Sequence, residues 1–233
     1  MESKSILKTG GVCAALVGIS YLVGGIAYLL LPAEQKGGTL LHDTDKFLVS
    51  LANGSTFITI HHLVFAVGAL FGIGVVMAVF DLTRPLNSGW TQWLNMLAGL
   101  GFGVTAIDHF RILTVEPARA AVYAAGDAVT RSAVAATPCF VSIDPVMWLG
   151  FGLPGIWVFV ISYLALRKLA LPRAFGIIGM IAGVFYFFVE VATLLNSQFL
   201  MIITAGLGAI VLGPVWYIWL GRILRKRALA DKT

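Results

Sequence analysis

The sequence predicts an all-α fold: a polytopic transmembrane bundle of six helices with both termini in the cytoplasm. Of its 233 residues, 59% are hydrophobic and only 12% are charged, whereas a soluble domain carries about 25% charged residues. The mean hydropathy is +0.92. Apolar stretches of membrane-spanning length recur along the chain, and Lys and Arg concentrate in the connections on one side. These observations identify the bilayer as the solvent of this chain.

Six apolar windows are each close to the roughly 20 residues that a helix needs to cross about 30 Å of hydrocarbon. They cover approximately residues 11–31, 57–80, 91–113, 146–166, 174–195 and 199–221. Together they take up more than half of the chain, which leaves no room for a separate soluble domain. We therefore predict that residues 1–233 form a single integral membrane domain.

The connections alternate between long and short. Residues 32–56 and 114–145 form the long outer connections, and the Ala-rich part of the second one, which opens with Pro117, predicts a short helix on the membrane surface. Pro154 and Pro214 fall inside the fourth and sixth windows, where each removes a backbone hydrogen bond and should distort its helix.

The distribution of basic residues predicts the orientation. With six spans, both termini lie on the same side, and eleven of the sixteen Lys and Arg residues fall on that side. Because basic residues are retained in the cytoplasm, we expect both termini there and the protein in the cell inner (plasma) membrane. The net charge of +5 thus reports topology and requires no nucleic-acid partner.

Ionisable residues at membrane depth cluster at the outer ends of the helices. An ionisable group in a membrane segment costs about 2.5–3.5 kcal/mol on insertion scales, so such groups tend to face the bundle interior and mark function. The cytoplasmic half of the predicted bundle contains almost none. The candidate catalytic residues are Glu190, Asp108, His109 and His62, and the candidate binding residues are Arg111, His61, Asp144 and Tyr186.

Each candidate also has a structural interpretation. Asp144 precedes a proline, as an N-cap acid does, and Asp108 and Arg111 have the i,i+3 spacing of a local ion pair. His61 and His62 are adjacent and therefore about 100° apart on a helix, so only one is expected to point into a narrow site.

Glu190 is the most difficult of these residues to explain structurally, because its sequence neighbourhood is apolar and has no cation three or four residues away. It should carry a proton or pair across helices with an ionisable group of the second or third helix. The candidate partners are His61, His62, His109 and Arg111, and Tyr186 shares the helix face of Glu190.

Several chemistries could use this set of residues. In the first, Glu190 is a general acid, a His the base, and Arg111 the partner of an anionic group, acting on a membrane lipid or small lipophilic ligand. In others, the histidines and carboxylates bind iron, copper or zinc, or a His of the second helix and His109 ligate a b-type haem. A proton-relay transporter would need inner polar groups as well. A non-catalytic subunit of a complex with other membrane proteins is the rival hypothesis, so enzyme activity and cofactor stay open.

Three segments resemble a bacterial family of multi-pass membrane proteins, the domain of unknown function 4386 family. They are "ILKTGGVCAALVGISYLVGGI" near the start, "DLTRPLN" after the second window, and "LGPVWYIWLGRILRK" near the end. The resemblance implies a bundle of six to seven helices in a membrane, with no established activity. The pairs His61-His62 and Asp108-His109 are not features that the resemblance explains.

Overall fold

The computed structural model describes residues 2–36, 44–86, 89–136, 144, 147–169 and 171–230, and these contain helices but no strand. The α-helices are α1 (Glu2–Leu29), α2 (Thr44–Ala52), α3 (Thr56–Thr83), α4 (Gly89–Ala125), α5 (Ala128–Ala136), α6 (Leu153–Arg167), α7 (Arg173–Leu194), α8 (Gln198–Ala205) and α9 (Gly213–Ala230). Two π-helical segments, Trp148–Gly152 and Gly206–Leu212, lead into α6 and α9. The predicted all-α fold is confirmed.

Six helices of the described chain are long and apolar enough to cross a membrane. They are α1, α3, α4, α6 with its π-helical segment, α7, and the continuous helix formed by α8, the second π-helical segment and α9. An even number of spans places both termini on the same side of the membrane. We call that side the near side and the opposite side the far side.

The third membrane helix continues beyond the predicted apolar window. α4 continues without interruption to Ala125, and Pro117 lies inside it instead of opening a separate helix. The continuation is rich in alanine, the strongest helix former, so it stays helical after the hydrophobic window has ended. A distinct short helix, α5, does follow at Ala128, and Asp127 caps it by accepting a hydrogen bond from the Thr130 N–H at 2.8 Å.

Pro154 and Pro214 each lie just after a π-helical segment. A proline within a helix lacks an N–H and collides with the carbonyl one turn earlier. A wider π turn relieves this collision and leaves a bulge in the helix. Both predicted distortions are therefore present, and they lie in the walls of the cavity described below.

The helices pack through glycine contacts. A Cβ placed on Gly221 of α9 would lie 2.6 Å from the Gly11 carbonyl oxygen of α1, and one on Gly11 would lie 2.9 Å from the Gly221 carbonyl. Such close backbone approach is available only to the smallest residues. α1 packs along both α3 and α9, α3 along α4, and α6 along α7.

A helical cap covers part of the far side. It consists of α2, the end of α4 from residue 114 to Ala125, and α5. Its apolar cluster contains Leu31, Leu48, Leu51, Ile58, Ala120 and Tyr123. Polar contacts tie the parts together: Gln35 Nε2 donates to Ser50 Oγ at 2.9 Å, and Arg119 Nη2 donates to the Val134 carbonyl at 2.7 Å.

The near-side half of the bundle is a packed aromatic core. Trp157 and Trp216 are fully buried and meet edge to face, and Phe175 stacks on Trp216 with 5.4 Å between ring centroids. The indole Nε1 of Trp157 donates to Asn95 Oδ1 at 2.7 Å, and Asn95 Nδ2 donates to Thr83 Oγ1 at 3.2 Å. These bonds satisfy the buried amide of Asn95, as a low-dielectric interior requires.

Candidate functional site

A cavity of about 300 Å³ lies in the far-side half of the bundle, partly beneath the cap. Its lining comes from the far half of α3 and α4, the end of α1, the start of α2, the π-helical segment Trp148–Gly152, α7, α8 and the π-helical segment Gly206–Leu212. Toward the bundle centre its wall is apolar, with Phe65, Val104, Phe151, Val189 and Ala209. Toward the far side its wall is mixed: Leu31, Phe47, Ile58 and Ile112 lie among the polar residues Gln35, Lys36, Thr44, His61, His62, Thr105, Asp108, His109, Glu116, Arg119 and Asp144.

His62 and His109 form a hydrogen-bonded pair across α3 and α4. Their Nδ1 atoms lie 2.7 Å apart, so one nitrogen donates a proton and the other accepts it. When both rings are neutral, the donor ring has a lone pair on Nε2 and the acceptor ring has its proton on Nε2. The pair therefore holds one basic and one acidic ring nitrogen at the same time.

His61 has a fixed tautomer. Its Nδ1 lies 2.8 Å from the Gly24 carbonyl oxygen of α1, and because a carbonyl only accepts hydrogen bonds, this nitrogen carries the proton. In neutral His61 the lone pair is then on Nε2, the form that serves as a base or a metal ligand. The same bond links α1 to α3 at the cavity wall.

The expectation that only one of His61 and His62 could face the site is wrong. Both rings line the cavity, with centroids 4.8 Å apart, because the cavity is wide enough to meet two neighbouring positions of α3. Phe65, one turn further along α3, stacks on His109 with centroids 5.2 Å apart. Phe65 also contacts His61, with centroids 4.8 Å apart, so it packs against two of the three histidines.

One face of α4 supplies much of the polar wall. Thr105, Asp108, Ile112, Glu116 and Arg119 follow one another at spacings of three and four residues, which places them on one helix face. Buried Glu116 forms an ion pair with Arg119, with Oε1 and Nη1 3.1 Å apart. Sequence reasoning missed Glu116 and Arg119 because it placed them in a loop, although their spacing continues that of Asp108.

Asp144 anchors the π-helical segment before α6. Its Oδ2 accepts a hydrogen bond from the Gly150 N–H at 2.7 Å. Burial raises the pKa of the Asp144 carboxyl above its ordinary value; the backbone N–H groups of residues 148–150 oppose the rise, and nearby Asp108 adds to it. The carboxyl also lines the cavity. The N-cap position of this segment is Met147, so Asp144 is not the predicted N-cap residue; its carboxyl instead binds the segment through the Gly150 N–H and has a place in the site.

Glu190 lies outside the lining of the cavity. Its side chain is only 3% exposed, and Oε1 has no hydrogen-bond partner among the described residues. The carboxyl faces Gly152, where a Cβ would lie 3.1 Å from Oε1. Of the two predicted alternatives, pairing with His61, His62, His109 or Arg111 is not found in the described part of the chain, and Asp144 is an acidic group near Glu190.

Two further candidates are also placed away from the cavity. Tyr186 is buried at the bundle centre, where its ring meets Tyr21 and Phe151 edge to face and its hydroxyl lies against Gly213. Arg111 is half-buried on α4 and does not line the cavity. The structure therefore brings His61, His62, Asp108, His109 and Asp144 together in the cavity lining. Glu190, Tyr186 and Arg111 are not part of that lining.

The geometry of the histidine pair bears on the metal and haem hypotheses. In a bis-histidine haem the iron and the porphyrin plane lie between the two ligating rings. The hydrogen bond between His62 and His109 leaves no such space between them. Within the described residues, moreover, no three His, Cys, Asp or Glu side chains converge on a point where they could hold a metal ion.

The comparisons with known proteins agree with the architecture. Neither the curated proteins nor the solved structures contain a match to this chain. The model of one family, described as a domain of unknown function (DUF4386), matches residues 15–221, which span all six membrane helices. The chain therefore belongs to the DUF4386 family of proteins.

Proposed function

We propose that this integral membrane protein binds a small lipophilic molecule in the far-side cavity and places its polar group against the histidine pair for acid–base chemistry. The observation that carries the proposal is the direct hydrogen bond between His62 and His109 in the wall of a largely apolar cavity. The volume of about 300 Å³ lies at the lower end of the range of small-molecule sites, about 300–1,000 Å³.

The walls of the cavity support a ligand with two unlike ends. Phe65, Phe151 and Val189 offer an apolar surface toward the bundle centre, where a hydrocarbon group is favoured over water. The histidines and Asp108 lie farther toward the far side. A fully polar solute would leave the apolar wall unmatched, and a pure hydrocarbon would leave buried polar groups unsatisfied.

The histidine pair can act as acid and base in one step. A substrate proton moves to the basic Nε2 of one ring, the bridging Nδ1 proton moves to the other ring, and the Nε2 proton of that second ring returns to the substrate. The pair regains its original charge, and the substrate has exchanged one proton position for another. Proton transfer by positioned side chains contributes about 10²–10⁴-fold in rate. Asp108, beside His109, is placed to orient the reacting group.

We place the protein in the cell inner membrane with both termini in the cytoplasm. The support is the excess of Lys and Arg on the near side, including "RKR" at the end of α9. In that orientation the cavity lies in the outer half of the membrane.

The proposal is tested with the full chain purified in detergent and stripped of lipid. The stripped protein is incubated with a total lipid extract of its host membrane, and retained molecules are identified by mass spectrometry. We expect one lipophilic component in stoichiometric amount, lost in His109→Phe, which keeps the ring packing on Phe65 but removes the hydrogen bond. Met96→Leu, on the exposed surface, is the control and should retain it. Equal retention by His109→Phe and the parent would favour the rival hypothesis of a non-catalytic subunit.

A further inference from the structure

The wall of the cavity has an apolar break that faces the lipid. Among the described residues that line the cavity, only Leu29 and Ile202 are strongly exposed, at 57% and 52%. Leu29 is the last residue of α1, and Ile202 lies in α8. Residues that line a cavity and are also exposed on the outer surface stand at its opening.

The contacts between α1 and the last membrane helix show which of their residues lie at the same level. They place Leu29 and Ile202 beside the same gap. Gly18 meets Pro214 and Ile218, and Gly25 meets Ile210, where a Cβ on Gly25 would lie 2.5 Å from the Ile210 side chain. The helices are antiparallel, so each step toward the far side along α1 matches a step back along its partner. Leu29 therefore lies at the level of Gly206, and Ile202 lies one turn farther.

Gly206 lies within this gap. It lines the cavity, and a Cβ built on it would meet no atom within 4 Å. The contact between Gly25 and Ile210 closes the gap on the near side. Ile26 and Phe199 on the same two helices are apolar and exposed on the outer surface of the bundle. The side chains that border the gap are thus apolar and suit a hydrocarbon chain, while Lys36 Nζ, which donates to the Leu29 carbonyl oxygen at 2.9 Å, places a polar group beside it.

Volume decides how much of a lipid the cavity can hold. A cavity of about 300 Å³ equals the volume of about ten water molecules. That space accommodates a head group and the first part of a chain, but not a complete membrane lipid, so the rest of the chain must lie outside. Among the described lining residues, Leu29 and Ile202 border an apolar exit for it.

We infer that the ligand is a chain-bearing lipid of the far leaflet, which enters sideways between the end of α1 and α8. Its head group lies at His62 and His109, and its chain leaves through the gap between Leu29 and Ile202. This inference rests on the proposed function, because it names the ligand class and the entry route for the same cavity.

The test uses the full chain in vesicles of phosphatidylethanolamine and phosphatidylglycerol that contain a phosphatidylethanolamine with a photoreactive diazirine in its acyl chain. Lipids at the protein surface label exposed residues such as Phe199 in any case. Labelling of Phe65 or Ala209, which are buried and line the cavity, requires a chain to enter. We expect these two residues to be labelled in the parent protein.

The matched variants are Gly206→Phe and Gly103→Phe. Both glycines have open space at Cβ, but only Gly206 lines the cavity. Gly206→Phe should lose the label at Phe65 and Ala209 while surface labelling persists, and Gly103→Phe should keep both. If Gly206→Phe does not fold, Ile202→Trp obstructs the same gap from an exposed position. Interior labelling that is absent from the parent, or unchanged in the obstructed variant, would overturn the inference.

The two proposals can fail separately. If His109→Phe loses its retained ligand while the obstructed variant still binds it at the normal rate, the cavity site stands and the ligand enters by another route. If neither variant changes retention or labelling, both proposals fail.

Discussion

Replacing Asp144 tests how the cavity wall is held in place. Asp144 precedes the π-helical segment Trp148–Gly152 by four residues in the chain, and its carboxylate accepts a hydrogen bond from the Gly150 N–H at 2.7 Å. The first N–H groups of a helix have no partner within the helix. Asp144→Ala leaves them unsatisfied, whereas Asp144→Asn keeps a side-chain oxygen that can still accept the Gly150 hydrogen bond.

The size of the expected change in the free energy of unfolding follows from this one hydrogen bond. Loss of an N-cap acceptor costs about 0.5–2 kcal/mol, and a short bond to a charged acceptor belongs to the stronger class of hydrogen bonds. Because the burial that raises the pKa of Asp144 opposes this stabilisation, we expect Asp144→Ala to lower the free energy of unfolding by an amount in the lower part of that range. The free N–H groups should also exchange faster, because Gly150 and its neighbours then open more easily.

The pH dependence distinguishes the two variants. Burial raises the pKa of Asp144 above its ordinary value of 3.8, so the folded state binds this proton more tightly than the unfolded state. The stabilisation from this proton is complete below 3.8 and is lost as the pH rises through the raised folded value. Asp144→Asn cannot ionise. It should therefore be at least as stable as the parent at neutral pH and should lose this part of the acid-range dependence.

Thermal denaturation of the detergent-solubilised protein over a pH series measures both effects, and hydrogen exchange of residues 148–152 locates them. If Asp144→Ala unfolds like the parent protein, the hydrogen bond from Gly150 to Asp144 contributes nothing to stability. An Asp144→Asn protein with the full pH slope of the parent would refute the assignment of that slope to this carboxyl.

Two further predictions concern the packing behind the site. Glu190→Gln should fold, keep its stability and retain ligand, because Glu190 lies outside the cavity lining and has no counter-ion among the described residues; loss of ligand in the retention assay would restore its predicted role as the acid. Gly221→Ala should destabilise by about 1–3 kcal/mol, the usual cost of overpacking, since its Cβ would lie 2.6 Å from the Gly11 carbonyl. Gly103→Ala meets no atom within 4 Å and should gain about 0.5–1 kcal/mol from helix propensity. Equal unfolding midpoints for these two variants in mixed micelles would contradict the packing argument.

The membrane helices could be predicted from the sequence because hydrophobic length is a local property. Their ends could not, since a hydropathy window reports the hydrocarbon thickness and not the end of the helix. The error is largest at α4, which continues to Ala125 through an Ala-rich segment and past Pro117. The cap depends on that continuation, so its contribution to the site was also missed. Gln35 and Arg119, both in the polar wall, belong to this missed part.

For the site residues, the position along each helix could be predicted, but the direction in which each helix face points could not. The sequence places polar groups at the correct depth, because the rise per residue of a helix is constant. It does not determine which way each helix face points. Val189 lines the cavity, whereas Glu190, about 100° further around α7, faces Gly152 of the neighbouring segment. Asp108 and His109 both reach the cavity because it is wide enough to meet two neighbouring positions of α4.

The contrast between the two halves of the bundle favours binding from one side over transport across the membrane. Below the cavity, Tyr21 stacks on Phe65 and meets Tyr186 and Tyr217 edge to face. The Trp157 and Trp216 core follows beneath this layer. A charged solute that crossed would have to separate these aromatic contacts and lose its hydration in a region whose described buried polar side chains are neutral, at a cost of several kcal/mol per ion. A lipid that enters from the far leaflet meets neither barrier, since its head group moves only to the histidine pair and its chain remains in hydrocarbon.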